Sequence, residues 1–155
     1  MRFVADSSLL LRLYLHDLNR EAIEAFLADD AKVVSLSALA RIEVLNTLLL
    51  YENRAEQFEA DIHEGIRLRL EDVDWPDAFQ QAESLARRFS RALRPGGHDL
   101  VLVASAVIMG ATWFLSFDHN SRQRALAAAA GLRVWPALDK DEKGLVRHAS
   151  KQASA

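Results

Sequence analysis

Residues 112–135 read TWFLSFDHNSRQRALAAAAGLRVW. Thr112 to Phe117 is an uncharged, aromatic-rich run of strand length, and it halts at an acid, Asp118. Asp118 to Ser121 supply residues that cap a helix running through Ala130, and Gly131 stops that helix. Leu132 to Trp135 form a second short strand that Pro136 closes. A strand, a helix and a strand in this order predict a parallel pair joined by a crossover, which is the unit of an α/β sheet. The beginning of the chain repeats the design: RFVA (Arg2 to Ala5) is a strand, and Asp6 stands at its carboxyl end.

Working outward, Asp6, Ser7 and Ser8 can cap a helix over Leu9 to His16, and a second helix spans about Arg20 to Ala28, ended by Asp29 and Asp30. Lys32 to Leu36 (KVVSL) is another strand, followed by Ser37 as N-cap of a helix to about Asn53. Glu43 lies inside that helix, with Asn46 one turn later on the same face. Arg54 to Ile66 is helical in pattern, and Leu68 to Asp74 alternates apolar with charged residues as an edge strand does. Trp75 and Pro76 open a helix in which Phe79, Ala82, Leu85, Ala86, Phe89 and Leu93 recur at helical spacing. Pro95-Gly96-Gly97 breaks it, and His98-Asp99 precede an uncharged helix, Leu100 to Met109, that must be buried on all sides. Five short strands alternating with helices predict a mostly parallel five-stranded sheet with helices on both faces.

The 155 residues suit one domain, and 50% hydrophobic with 26% charged content is that of an ordinary globular protein. The absence of cysteine excludes disulfides and thiolate chemistry. Asp6 and Arg12 interrupt any signal-peptide core, and the uncharged stretch from Leu100 to Thr112 falls short of the ~20 apolar residues of a membrane span. A cytoplasmic protein without membrane contact is expected. The net charge of -3 argues against coating nucleic acid by bulk electrostatics, yet allows a nucleic-acid enzyme whose positive charge comes from metals and local arginines.

Asp6, Asp99 and Asp118 each adjoin a helix start, where an aspartate commonly caps the backbone; Glu43 taken alone reads as a helix residue paired with Arg41. Their conjunction favours a shared location at the carboxyl ends of the strands, where open α/β sheets build their sites. Carboxylates gathered there require cations, and all-oxygen ligands suit Mg2+ or Mn2+. Such ions activate water for in-line attack on phosphorus, so no side-chain nucleophile is needed.

These residues together resemble the PIN domain: the strand ending in Asp6, the E-x-x-N of Glu43 and Asn46, HDLVLVASAVIMGA with Asp99, and FLSFDHNSRQRALAAAAGLRVW with Asp118. More narrowly they resemble VapC-type ribonuclease toxins of toxin–antitoxin pairs, over Arg2 to about Trp135. The resemblance implies an α/β/α sandwich of strand order 3-2-1-4-5 over residues 1–138; residues 139–155, polar and rich in Lys, Ser and Ala, are expected to be a tail that is a short helix or frayed. It implies that Asp6, Glu43, Asp99 and Asp118 are the catalytic, metal-binding acids, with Ser116 at the family's Ser/Thr position. It further implies an Mg2+- or Mn2+-dependent endoribonuclease acting on RNA, a homodimer, and a cognate antitoxin covering the acidic groove. No further acid follows Asp118 closely, which leaves one metal or two open.

Asn46 and Ser116 are expected to orient water or phosphate, and Arg122 and Arg124 to contact RNA phosphate. His98 and His119 lack the pair spacing of a zinc site and read as exposed or capping. Arg87, Arg88, Arg91 and Arg94 read as a solvated helix face. A phospho-acceptor receiver domain would want adjacent acids after the first strand, where this chain has Ser7 and Ser8. The alternative that remains is a non-catalytic module holding a basic partner or RNA in the same acidic groove.

Overall fold

The computed structural model describes residues 1–51 and 54–154. Its strands are β1 (Phe3–Ala5), β2 (Val34–Leu36), β3 (Leu68–Leu70), β4 (Trp113–Leu115) and β5 (Arg133–Trp135). The helices are α1 (Ser7–Tyr14), α2 (Arg20–Ala28), α3 (Ala38–Leu48), α4 (Arg54–Glu64), α5 (Trp75–Leu93), α6 (Gly97–Ile108), α7 (Gln123–Ala129) and α8 (Lys140–Ala153). The strands pair in the order β3-β2-β1-β4-β5, every pairing is parallel, and β3 is an edge as its alternating pattern predicts.

Strand alternation builds the two cores. Phe3, Ala5 and Leu115 point to one face, where they pack with Leu9, Leu10, Ile23, Leu48 and Phe58 of α1 to α4. Val4 and Phe114 point to the other, where Leu85, Phe89, Leu93, Val103 and Leu126 of α5 to α7 cover them. The result is the expected α/β/α sandwich. Among the described residues, no helix is long and apolar enough to cross a membrane.

The register Ala5↔Leu115 and Leu115↔Trp135 puts the carboxyl ends of β1, β4 and β5 level. The chain leaves β1 toward β2 and β3, then returns on the other side of β1 as β4. That reversal opens a crevice between β1 and β4, and the residues that follow these strands, Asp6 and Ser116, face each other across it.

Several boundaries differ from those expected. α3 ends at Leu48, and the expected end near Asn53 lies outside the described residues. Helix α6 begins at Gly97, so Asp99 is its third residue and not a flanking one. Asp118 does not cap α7, which starts at Gln123; its Oδ1 accepts from the N–H groups of Asn120 and Ser121 in a turn of its own. The segment after Asp139 is a 14-residue helix packed on α5 and α7, with Ala149 fully buried. Asp139 caps α8 and Glu142 returns the bond, a capping box that makes this polar stretch helical.

Away from the crevice, the Tyr14 hydroxyl donates to buried Asp61 Oδ2 at 2.6 Å, while Gln57 Nε2 donates to Oδ1 at 2.8 Å. Burial, then the adjoining carboxylate, push the Tyr14 phenol well above its usual range, so it stays a donor at all ordinary pH. Tyr14→Phe should therefore lower stability by about 1–3 kcal/mol, the cost of leaving one buried carboxylate oxygen unpaired. Urea unfolding measures it, and a loss below a few tenths of a kcal/mol would show that water replaces the phenol.

Candidate metal centre

Asp6 is the hub of the crevice. Its backbone is extended, so the carboxylate turns back over the first turn of α1 and accepts from Leu9 N at 3.1 Å. Ser8 Oγ donates to Oδ1 at 2.7 Å; Ser116 Oγ and Gln123 Nε2 donate to Oδ2 at 2.6 and 2.9 Å. Asp6 is only 1% exposed. Burial pushes its carboxyl from 3.8 up to about 6 against the pull of the hydrogen bonds, and nearby Asp118 adds to the rise.

Asp118 joins Asp6 through one side chain. Gln123 Nε2 donates at 2.9 Å to Asp118 Oδ2 as it does to Asp6. Ser116 secures the same corner: its Oγ accepts from Asp118 N at 3.1 Å, and Ser8 Oγ accepts from Phe117 N at 2.9 Å.

Glu43 approaches from α3. Its Oε2 lies 3.4 Å from Ser7 Oγ, next in the chain to Asp6, and 3.1 Å from His98 Nε2, next in the chain to Asp99. Glu43 Oε1 is buried without a hydrogen-bond partner. Asp99 is half-buried on the first turn of α6, where its Oδ2 accepts from Gly96 N at 2.9 Å. The four acids are thus strung along one path, Asp118 to Asp6 through Gln123, and Asp6 to Asp99 through Ser7, Glu43 and His98.

They do not converge on a point. Among the described residues, the one group of three or more candidate ligands with all their atoms within 4.8 Å of one another is His119, Asp139 and Glu142. That His/Asp/Glu cluster could coordinate a divalent metal, and it adjoins Asp118 through His119. Two of its members are already engaged: Asp139 caps α8, and Glu142 Oε2 accepts from Arg124 Nε at 2.8 Å. The Glu142 N–H bond first, and His119 among lesser causes, hold the Asp139 carboxyl below its ordinary value.

A divalent cation suits the crevice acids on two observations. Glu43 Oε1 is a buried oxygen with nothing to accept from, and Asp6 and Asp118 put like charges together at a buried position. The donors are hard oxygens, as Mg2+ or Mn2+ requires.

The remaining sequence candidates separate clearly. Ser116 is fully buried at the hub, so it orients Asp6 and does not face solvent. Asn46 is exposed one turn beyond Glu43, and Arg122 is exposed just before α7. Arg124 is a correction. It is 0% exposed and its guanidinium is consumed by Glu142 and by the carbonyls of Ser116, Pro136 and Ala137, so no group is left for a phosphate. Gln123 was not anticipated, because a glutamine between two arginines reads as surface; the available signal was its position five residues after Asp118, at the inward face of a short apolar helix. His98 contacts Glu43 although it is exposed, and the Arg87, Arg88, Arg91 and Arg94 face is solvated.

Among solved structures, the chain is similar to VapC20 of Mycobacterium tuberculosis, a sarcin-ricin loop cleaving toxin, with 23% identity and a TM-score of 0.61 over 84% of this chain and 95% of that one. VapBC2 of Rickettsia felis, solved on a fragment of its promoter DNA, gives 14% identity and a TM-score of 0.62 over 86% and 97%. FitAcB of Neisseria gonorrhoeae gives 18% and 0.57 over 85% and 95%. At these identities the likeness is one of fold. None of the curated proteins matches the sequence. The PIN domain family model matches residues 3–130, which span β1 through α7 and carry all four acids of the crevice. The chain belongs to the PIN-domain family.

Proposed function

We propose that this protein is a metal-dependent endoribonuclease of the toxin type, cutting RNA phosphodiester bonds with Mg2+ or Mn2+. The observation that carries the reading is the pairing of buried Asp6 with Asp118 at the β1/β4 reversal, with Glu43 and Asp99 strung beside them. Asp6, Glu43, Asp99 and Asp118 would hold the metal, as one ion or two. When bound, the ion activates water and offsets charge on the phosphate.

The chain's own residues do the rest. Ser8, Ser116 and the Leu9 N–H fix the Asp6 carboxylate by three bonds, so its lone pairs are aimed before any ligand arrives. His98 holds the Glu43 side chain toward Ser7 at the head of α1. Arg122, exposed just before α7, would meet a phosphate of RNA, and Asn46 would offer its exposed amide beyond Glu43. An acidic crevice of this kind also suits a cognate antitoxin that brings a basic side chain to the carboxylates. The similarity to a two-protein complex supports a protein partner. A homodimer in the cytoplasm completes the proposal.

The test uses purified protein on an RNA pool with Mg2+, Mn2+ or EDTA. Cleavage should vanish in EDTA, and Asp99→Asn should reduce it by on the order of a hundredfold or more, the size of removing one charge-stabilising group. Cleavage that survives EDTA would sink the assignment. Intact RNA together with tight capture of a small basic protein would favour the non-catalytic module instead.

A further inference from the structure

Gln123 is buried, with 3% of its surface exposed, yet its amide is used on one side only. Nε2 reaches Asp6 Oδ2 and Asp118 Oδ2, each at 2.9 Å, while Oε1 is buried without a partner. The orientation is forced, because carboxylates accept and only the NH2 end of the amide can donate. A buried amide oxygen left unpaired is costly, so the two charge-assisted bonds on the nitrogen side must outweigh it. The position filled by that NH2, between two carboxylates, is one a cation would otherwise fill.

The backbone beneath is anchored independently. Arg124, the next residue, ties the start of α7 to Ser116, Pro136, Ala137 and Glu142. Any departure of Gln123 from the carboxylates is therefore a movement of its own side chain, with α7 in place.

We propose that Gln123 is the placeholder of the metal centre: its side-chain NH2 clamps Asp6 to Asp118 while no cation is bound and is displaced when one arrives. The inference rests on the metal-site reading above and assigns Gln123 the part of setting ion affinity without itself holding the ion. The clamp stabilises the metal-free form, so removing it must favour the loaded form by linkage. A structural residue would lower stability with and without metal alike, and a ligand through Oε1 would weaken binding when lost.

Calorimetric titration with Mn2+, and thermal melts in EDTA and in saturating Mn2+, separate these roles in the full chain. Gln123→Met keeps the side-chain length without donors. It should melt below wild type in EDTA, match it in Mn2+, and bind Mn2+ about tenfold more tightly, the net of two lost charge-assisted bonds against the removal of one unpaired amide oxygen in the metal-free state. Gln123→Glu, which adds a third carboxylate, should melt lower still in EDTA and bind Mn2+ more tightly still. Equal or weaker Mn2+ binding by Gln123→Met overturns the proposal. If Gln123→Met does not fold in EDTA, folding on addition of Mn2+ supports the placeholder, and failure to fold in Mn2+ overturns it. Asp6→Asn separates the two levels: Mn2+ bound by wild type but not by Asp6→Asn upholds the metal site whatever Gln123 does, whereas no binding by wild type overturns both.

Discussion

Asp6→Asn should make the metal-free protein more stable at neutral pH while reducing RNA cleavage by about a thousandfold, the upper range for losing one group that stabilises charge at a reacting centre. The stability half follows from burial. Asp6 has a folded-state pKa of about 6 against 3.8 in the unfolded chain, so the folded protein binds more protons between those values. Stability therefore falls as pH rises through that window, and the full penalty, about 3 kcal/mol, is present above pH ~6. Asparagine carries no charge to desolvate. Its oxygen can still accept from Leu9 N and Ser8, and its NH2 can meet Gln123 Oε1 once that amide turns over. The expected gain is about 1–3 kcal/mol in EDTA at pH 7.5, shrinking toward zero below pH ~4. Urea unfolding of both proteins from pH 4 to 8 supplies the difference curve. If the hydrogen bonds of the cap fully offset the burial of Asp6, asparagine would cap as well and the curve would be flat and near zero. Stability rising as activity is lost is the mark of a group kept in a costly place for function.

Much of this arrangement was legible because it is local. RFVAD and TWFLSFD expose both the strands and the acids that end them, and Ser37 at the head of α3 accepts from Ala40 N as its position predicts. Parallel order followed from the alternation of strands with helices, since each crossover must return in the same direction. What escaped depends on partners distant in sequence. Arg122 and Arg124 look equivalent as text, two residues apart on the same short segment, but one is exposed and the other fully buried. Nothing local marks Arg124, because its carboxylate, Glu142, lies 18 residues on, in a segment whose polarity reads as a tail. The same blindness applies to α8, whose capping box is visible but whose seat against α5 and α7 is not. Gln123 meets Asp6 across 117 residues of chain, a distance at which no periodicity speaks.

The largest stability loss should come from Arg124. Its Nε and Nη2 reach Glu142 Oε2 and Oε1 at 2.8 and 3.3 Å, and Nη2 also reaches the carbonyls of Pro136 and Ala137 at 2.8 and 3.1 Å. Nη1 donates to the Ser116 carbonyl at the end of β4. Arg124→Met removes all of these at once and leaves Glu142, 9% exposed, with only the Asp139 N–H at 3.0 Å and the exposed His119 at 3.8 Å beside its charge. The cost should be about 3–5 kcal/mol. For a chain of this length that is a fall in Tm of roughly 10 °C. Lysine should rescue little, because a single ammonium cannot serve a carboxylate and three carbonyls in separate directions. Replacing Glu142 as well, by leucine, removes its charge, so the double variant should be less destabilised than Arg124→Met alone. A double-mutant cycle in urea measures that coupling, and a loss below 1 kcal/mol for Arg124→Met would refute the burial argument. The consequence reaches the crevice, because Ser116 is held from both sides, by Arg124 at its carbonyl and by Asp6 at its hydroxyl. An Arg124 variant that still folds should therefore bind Mn2+ more weakly, the opposite sign to Gln123→Met, since it loosens the frame that aims Asp6 and does not free a carboxylate to take up the ion.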